Sequence, residues 1–149
     1  MKNAISNKIQ NKALIVEALT FMVLYAFFQF AYPYHLMRRE QLVLFLFDRD
    51  YIRQTYVGTG WLVRLISDFF EQFFLLPVAG PVIVALLLTA IGIVTYRICL
   101  KFLGKWPSLL IAAAMLGWTF MRETGNLYST RYTFVMLGYL AIVLAALQF

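Results

Sequence analysis

The chain has 149 residues, of which 62% are hydrophobic and only 13% are charged, and its formal net charge is +6. Soluble domains carry roughly 25% charged residues, so the composition argues against a soluble globular protein. The positive charge forms no basic block of the kind that binds nucleic acid, and one cysteine with one histidine offers neither an intramolecular disulfide nor a metal cluster. We therefore expect one membrane domain over residues 1–149, with the lipid bilayer as partner, no nucleic acid, no metal and no cofactor.

The first apolar run predicts a membrane-spanning helix over residues 13–32, because a span needs about 20 apolar residues at a rise of about 1.5 Å each. Pro33 ends it, since the proline ring disfavours a helical residue before it. The run is too long for a secretory signal peptide, and no small-residue cleavage site follows. Glu17 lies one turn inside this span. We interpret it as an end residue that reaches the interface, rather than as a buried functional carboxylate.

The outer loop after the first span is rich in apolar residues, so we expect it to lie on the membrane as a hairpin of two interfacial helices, over 35–47 and 61–75. Gly58 and Gly60 allow a tight turn with positive φ between them. In the second helix, polar residues recur on one face with helical spacing and predict a solvated stripe with an Arg64–Asp68 ion pair. The residues of that stripe are Arg64, Ser67, Asp68, Glu71 and Gln72.

Three further apolar runs predict spans over 77–97, 106–121 and 132–149, which makes about four in an all-α membrane protein. The third is short, so Lys105 and Arg122 would have to reach the interface from its two ends. Its Ala113 and Gly117 form a small-residue pair that lets a neighbouring helix approach closely. The fourth run ends with the chain and has no cationic stop signal, which leads us to expect a fragment or a truncated product.

Orientation follows from the lysines, all of which lie in the N-terminal segment or between the second and third spans. The positive-inside rule places these two segments in the cytoplasm. Both termini are then predicted to be cytoplasmic, and residues 33–76 and 122–131 to lie outside.

The main candidate for a catalytic site is the Asp-Arg-Asp sequence at residues 48–50. Paired carboxylates such as Asp48 and Asp50 can hold a divalent cation or act as a general base. In the structural interpretation, Arg49 and Arg53 neutralise the two aspartates and one aspartate caps the next helical turn. We prefer the structural interpretation because no histidine or second acidic cluster supports the catalytic one. Whether the chain is an enzyme stays open.

Candidate binding residues follow the aspartates along the chain. Aromatic rings there could stack on a sugar or a lipid head group, and nearby arginines supply positive charge. These candidates are Arg53, Tyr56, Trp61 and Arg64. Charges of the second outer loop, at Arg122, Glu123 and Arg131, could meet the first loop and line a shared cleft, although charges at span ends are expected in any case.

Residues 34–97 resemble the N-terminal part of a bacterial family of multi-pass inner-membrane proteins of unknown function, the domain of unknown function 6057. The resemblance is carried by Glu40-Gln41 before the apolar FLF run, by the glycines at 58 and 60, and by FFEQFFLLPVAG at 69–80. It implies longer proteins with further membrane and soluble parts. We predict a structural or assembly module of an envelope system in the bacterial inner membrane. Its candidate partners are other membrane proteins or a missing C-terminal portion.

The alternative function is the membrane core of a glycosyltransferase-like enzyme that uses lipid-linked donors, with Asp48 or Asp50 at the outer face. Multi-pass glycosyltransferases of this kind place acidic residues similarly in their first outer loop. The likeness is an analogy at the level of fold.

Overall fold

A computed structural model describes residues 2–42, 45–125 and 130–148, and these residues form helices and connections without any strand. In chain order the helices are α1 (Lys2–Ala26), α2 (Pro33–Leu42), α3 (Arg49–Thr55), α4 (Trp61–Glu71), α5 (Ala79–Phe102), α6 (Lys105–Thr124) and α7 (Arg131–Ala146). A π-helical turn, Phe27–Ala31, extends α1, and a 3₁₀ turn, Gln72–Leu75, extends α4. The all-α prediction is confirmed. Parts of the predicted interfacial helix (residues 43 and 44), second outer loop (126–129) and fourth span (149) lie outside the described residues.

Two of the described helical stretches, Leu14–Ala31 and Ala79–Phe102, are long and apolar enough to cross a membrane. A shorter apolar helix is Arg131–Ala146. The count of four spans stays a prediction. The predicted interfacial helix over 35–47 corresponds to α2, which ends at Leu42, while residues 45–48 have no regular structure.

The first helix ends in a π-helical turn that directs two phenylalanines onto α6. The Tyr32 amide donates to the Phe27 carbonyl at 3.1 Å, which closes the wide turn. Pro33 then begins α2, a position at which a backbone N–H would have no partner within the helix, so its absence in proline costs no hydrogen bond. The Phe120 ring centroid on α6 lies 4.9 Å from that of Phe27 and 5.9 Å from that of Phe28. These edge-to-face contacts join the end of α1 to α6.

Helix α5 is the centre of the structure, with α1, α6 and α7 packed around it. The buried core joins residues from α1, the π-turn, α2, the 3₁₀ turn and α5, and its members are Leu24, Phe28, Leu36, Phe74, Val84, Ala85 and Leu88. A Cβ atom added to Gly80 would lie 3.0 Å from the Phe74 Cα. The start of α5 therefore needs glycine at this position to pack against the 3₁₀ turn.

Between α3 and α4, the chain turns through two glycines with positive φ, 95° at Gly58 and 81° at Gly60. This is the left-handed region that residues with a Cβ disfavour. The predicted glycine turn is therefore observed.

Polar and apolar side chains are distributed in the reverse of the usual soluble pattern. In the described part of the chain, more large hydrophobic side chains are exposed than are buried, and buried positions include Asp68, Glu71 and Glu123. Only 11% of the residues in Leu14–Ala31 are buried. Protein interiors in water rarely hold Asp and Glu unless these are paired, so each buried carboxylate needs a partner.

Candidate functional site

Asp48 and Asp50, the predicted catalytic candidates, lie at the exposed start of α3. The Asp48 side chain accepts a hydrogen bond from the Tyr51 amide at 3.3 Å, and its backbone is extended, as is typical of a helix N-cap. Asp50 lies in the first turn, where a carboxylate interacts favourably with the helix dipole. This geometry gives Asp48 a capping role, which is the structural interpretation made from the sequence.

Of the four predicted binding residues, the structure brings two together and leaves two exposed. Tyr56 is buried at the end of α3, and the guanidinium carbon of Arg64 lies 5.9 Å from the centroid of its ring. Arg53 is exposed on α3, and Trp61, the first residue of α4, is 46% exposed. The structure thus brings Tyr56 and Arg64 together.

Tyr56 also belongs to a buried ionic group that we call the Asp68 cluster, made of Tyr56, Asp68 and Arg131. Arg131 donates from Nε to Asp68 Oδ1 at 2.8 Å and from Nη2 to Oδ2 at 3.0 Å. The Tyr56 hydroxyl donates to the same Oδ2 at 3.0 Å. Asp68 is only 4% exposed, so three hydrogen bonds replace the water that the carboxylate lost.

The solvated stripe predicted for α4 is wrong. Ser67, Asp68 and Glu71 are buried, whereas Leu62 and Ile66 on the opposite side are 51% and 38% exposed. The predicted Arg64–Asp68 pair is replaced by the pair of Asp68 with Arg131. The reason is that an amphipathic pattern defines two faces of a helix but not which of them meets the rest of the protein, and here α7 supplies the arginine.

Two more carboxylates lie buried close in sequence to this cluster. The Ser67 hydroxyl donates to Glu71 Oε1 at 3.3 Å, and the Thr133 hydroxyl donates to Glu123 Oε1. Glu71 and Glu123 are 2% and 3% exposed. The contact between Thr133 and Glu123 holds the end of α6 to the start of α7.

An aromatic and cationic contact reinforces the same junction. The Arg122 guanidinium lies 4.6 Å from the centroid of the Tyr132 ring, a distance at which a cation is attracted to the face of the ring. The rings of Phe70 and Phe134 stack with centroids 5.5 Å apart. Helices α4, α6 and α7 are therefore joined by both polar and aromatic contacts.

The electrostatics of the Asp68 cluster favour a structural role. Burial raises the pKa of the Tyr56 hydroxyl above its ordinary value, and the hydrogen bond to the negative Asp68 carboxylate raises it further, while the Arg131 charge opposes the shift. The hydroxyl therefore stays a proton donor at neutral pH. Within residues 2–42, 45–125 and 130–148, no three His, Cys, Asp or Glu side chains are placed to hold a metal ion.

The predicted meeting of the two outer loops is observed at one point, where Arg131 pairs with Asp68. The two residues lie 63 positions apart in the sequence. The charge of Arg131 was the one feature of the sequence that indicated this contact. Glu71 and Glu123 were not singled out as buried residues, because helical spacing alone cannot distinguish a buried carboxylate from a solvated one.

One family model matches the chain over residues 8–149, that of a family of unknown function, DUF6057. The chain belongs to this family. The resemblance inferred from Glu40-Gln41, the glycine turn and FFEQFFLLPVAG is thereby confirmed and extends over nearly the whole DUF6057 chain. No curated protein and no solved structure matches it.

Proposed function

We propose that this DUF6057 protein is a multi-pass module of the bacterial inner membrane with a structural role in the assembly of an envelope system. The observation that carries the proposal is the reversed distribution of side chains, with apolar residues exposed and carboxylates buried and paired. In lipid, apolar surface needs no cover, whereas every polar group must find a partner inside the protein. Each of the three buried carboxylates in the described part of the chain has one.

Contacts between helix ends support four antiparallel spans, formed by α1, α5, α6 and α7. Asp68 meets Arg131 at the start of α7, and the Tyr32 hydroxyl donates to the carbonyl of Thr124 at the end of α6. At the opposite end, Lys101 Nζ donates to the Leu147 carbonyl at 2.6 Å, which joins the end of α5 to the end of α7. With the lysine-rich end in the cytoplasm, both termini lie there and the Asp68 cluster lies outside.

Helix lengths and aromatic positions agree with this arrangement. The 20 residues of α6 span about 30 Å at about 1.5 Å per residue, which matches the hydrocarbon thickness of a bilayer. Trp106 and Trp118 are 78% and 61% exposed on this helix. Exposed tryptophans toward the helix ends suit the two membrane interfaces.

Cysteine labelling tests the topology. Cys99 is replaced by serine, and a single cysteine is introduced at Thr59 or at Gly104. An impermeant thiol reagent applied to intact cells should label the Thr59→Cys variant, and should label the Gly104→Cys variant only after the membrane is opened. The reverse pattern, or labelling of both in intact cells, contradicts the proposed orientation.

A second experiment separates the structural role from the glycosyltransferase alternative. Asn replaces Asp well as a helix cap, so Asp48→Asn with Asp50→Asn should preserve folding, membrane level and crosslinks to partner proteins. If the chain is instead a transferase with these carboxylates as base or metal ligand, the double variant loses turnover of a lipid-linked sugar donor. A wild-type protein with such turnover, abolished in the variant, would overturn the structural proposal.

A further inference from the structure

Helices α1 and α6 enclose a groove of about 540 Å³ whose floor is α5. The two helices are joined near Phe27 and Phe120, and they separate toward the region of Glu17 on α1 and Leu109 on α6. The groove therefore lies away from the aromatic contact, beside the middle of α1 at Glu17 and the beginning of α6 at Leu109. Its volume lies within the range of small-ligand sites.

Most of the groove wall is apolar, but it contains a carboxylate and several hydroxyls, those of Glu17, Thr20, Thr89 and Tyr96. Thr20 already donates to the Val16 carbonyl at 2.9 Å. Thr89 is only 8% exposed, and its hydroxyl has no hydrogen-bond partner among the described residues. A buried hydroxyl without a hydrogen-bond partner lowers the stability of the folded protein by about 1–3 kcal/mol. A bound polar group that forms a hydrogen bond with Thr89 would remove this cost.

The charges in and beside the groove are separated by sign. Among the side chains that the structure describes, which begin at Leu14, Glu17 is the one charged residue of the groove lining. Just beyond the groove, Arg97 follows Tyr96 on α5 and Lys105 begins α6, and both are exposed. This pattern complements a zwitterion, with an ammonium group on the carboxylate and a phosphate near the two cations.

The length of the groove decides between an acyl chain and a protein helix. From Glu17 to Leu24, which lines its continuation, α1 rises about 10 Å at about 1.5 Å per residue. One leaflet of hydrocarbon is about 15 Å thick, half of the total of about 30 Å that a spanning helix must follow. Since the groove is shorter than one leaflet, it accommodates part of one acyl chain and not a spanning helix.

We propose that the groove binds a phospholipid with a primary ammonium head group, taken from the cytoplasmic leaflet of the proposed topology. The ammonium pairs with Glu17, a polar group of the lipid backbone reaches Thr89, and the acyl chain lies between α1 and α6 against Leu116. The site rests on the proposed insertion of the chain in a membrane.

Lipid retention by the purified full-length protein tests this site. The protein is mixed in detergent with equal amounts of phosphatidylethanolamine and phosphatidylglycerol, and the retained lipids are identified by native mass spectrometry. The wild type should retain about fivefold more phosphatidylethanolamine, the ratio that corresponds to an ion pair of about 1 kcal/mol. Glu17→Gln should reduce the ratio to about one, because it removes the charge and keeps the size.

A matched pair of leucine substitutions on α6 tests the location. Both Ala113 and Ala114 are exposed, but only Ala113 lines the groove. Ala113→Leu should reduce retained phosphatidylethanolamine about tenfold, and Ala114→Leu should leave it unchanged. Equal retention by the two variants, or an unchanged lipid ratio in Glu17→Gln, overturns the proposal. A third outcome also overturns it: the wild type self-associates, and Ala113→Leu dissociates it without loss of lipid. A second copy of the chain would then occupy the groove.

The topology experiment keeps this proposal separable from the one on which it rests. A chain that is labelled as a membrane protein but shows no difference between Ala113→Leu and Ala114→Leu refutes the lipid site alone. A chain that is recovered in the soluble fraction without detergent refutes both.

Discussion

Replacing Arg131 by methionine tests whether the Asp68 cluster holds helices α3, α4 and α7 together. Methionine keeps the apolar stem of the arginine side chain and removes its charge and both hydrogen bonds to Asp68, which lie at 2.8 and 3.0 Å. The Tyr56 hydroxyl would then be the one remaining partner seen for a carboxylate that is 4% exposed. Breaking a buried pair costs about 3–5 kcal/mol, and because the Arg131 side chain is 35% exposed we expect the lower limit, about 3 kcal/mol.

For a chain of 149 residues, about 3 kcal/mol corresponds to a decrease in Tm of roughly 6–12 °C. Thermal unfolding of the purified protein in detergent, followed by circular dichroism, measures this decrease. Arg53→Met is the matched control, because Arg53 is an exposed arginine of α3, and its Tm should change by no more than about 2 °C.

A double-mutant cycle separates the ion pair from other effects of the substitution. Asp68→Asn leaves a neutral side chain in place of the buried charge, so the double variant with Arg131→Met should be less destabilised than the sum of the two single variants by about 1–3 kcal/mol. Additive effects, or an Arg131→Met variant as stable as Arg53→Met, would refute the assignment of Arg131 as the counterion of Asp68.

Three further predictions concern Tyr56 and the glycines. The folded-state pKa of Tyr56 is raised, so the stability that its hydroxyl contributes is present below the ordinary tyrosine pKa of about 10 and is lost above it. The difference in Tm between the wild type and Tyr56→Phe should therefore narrow between pH 8 and pH 11. A constant difference would contradict this prediction. Gly60→Ala should cost about 1–2 kcal/mol through backbone strain alone, since φ is 81° and nothing lies within 4 Å of the added Cβ. Gly117→Ala is its control, because this glycine lies inside α6 with open space around the added Cβ, and the variant should show no decrease in Tm in the same thermal assay. Gly80→Ala should cost about 1–3 kcal/mol of stability because its Cβ meets the backbone of the 3₁₀ turn at 3.0 Å. Gly138→Ala is the control, because its Cβ enters open space. Equal Tm values for the two variants would show that the turn can move aside.

The features that could be predicted from the sequence are those set by local chemistry. Apolar runs predicted the helices around residues 13–32 and 77–97, because a helix satisfies its own backbone groups and its length can be counted from the sequence. The positive φ at Gly58 and Gly60 followed from the freedom of glycine. The capping by Asp48 followed from its short acceptor side chain.

The orientation of α4 could not be predicted, because it depends on a residue of another helix. The spacing of Ser67, Asp68 and Glu71 identifies one polar face, and in water that face would be exposed. Burial of the face becomes favourable only when Arg131 is placed opposite Asp68, and nothing in residues 61–71 specifies a partner 63 positions away. The error therefore lay in assigning the polar face to solvent, since the sequence of α4 alone does not show which face meets the rest of the protein.

The positions of the polar contacts explain why α1 and α6 separate at one end. Between helices in lipid there is little hydrophobic driving force, so packing and hydrogen bonds determine where helices approach. Near the end of α1, the Tyr32 hydroxyl reaches the Thr124 carbonyl and the Phe120 ring fits against Phe27. Around Glu17, among the side chains described from Leu14 onward, none provides an equivalent polar contact to α6. A helix pair joined at one end and unjoined at the other leaves a wedge, and in a bilayer the molecules available to fill a wedge are lipids. In the proposed lipid site, the Glu17 carboxylate selects among their head groups.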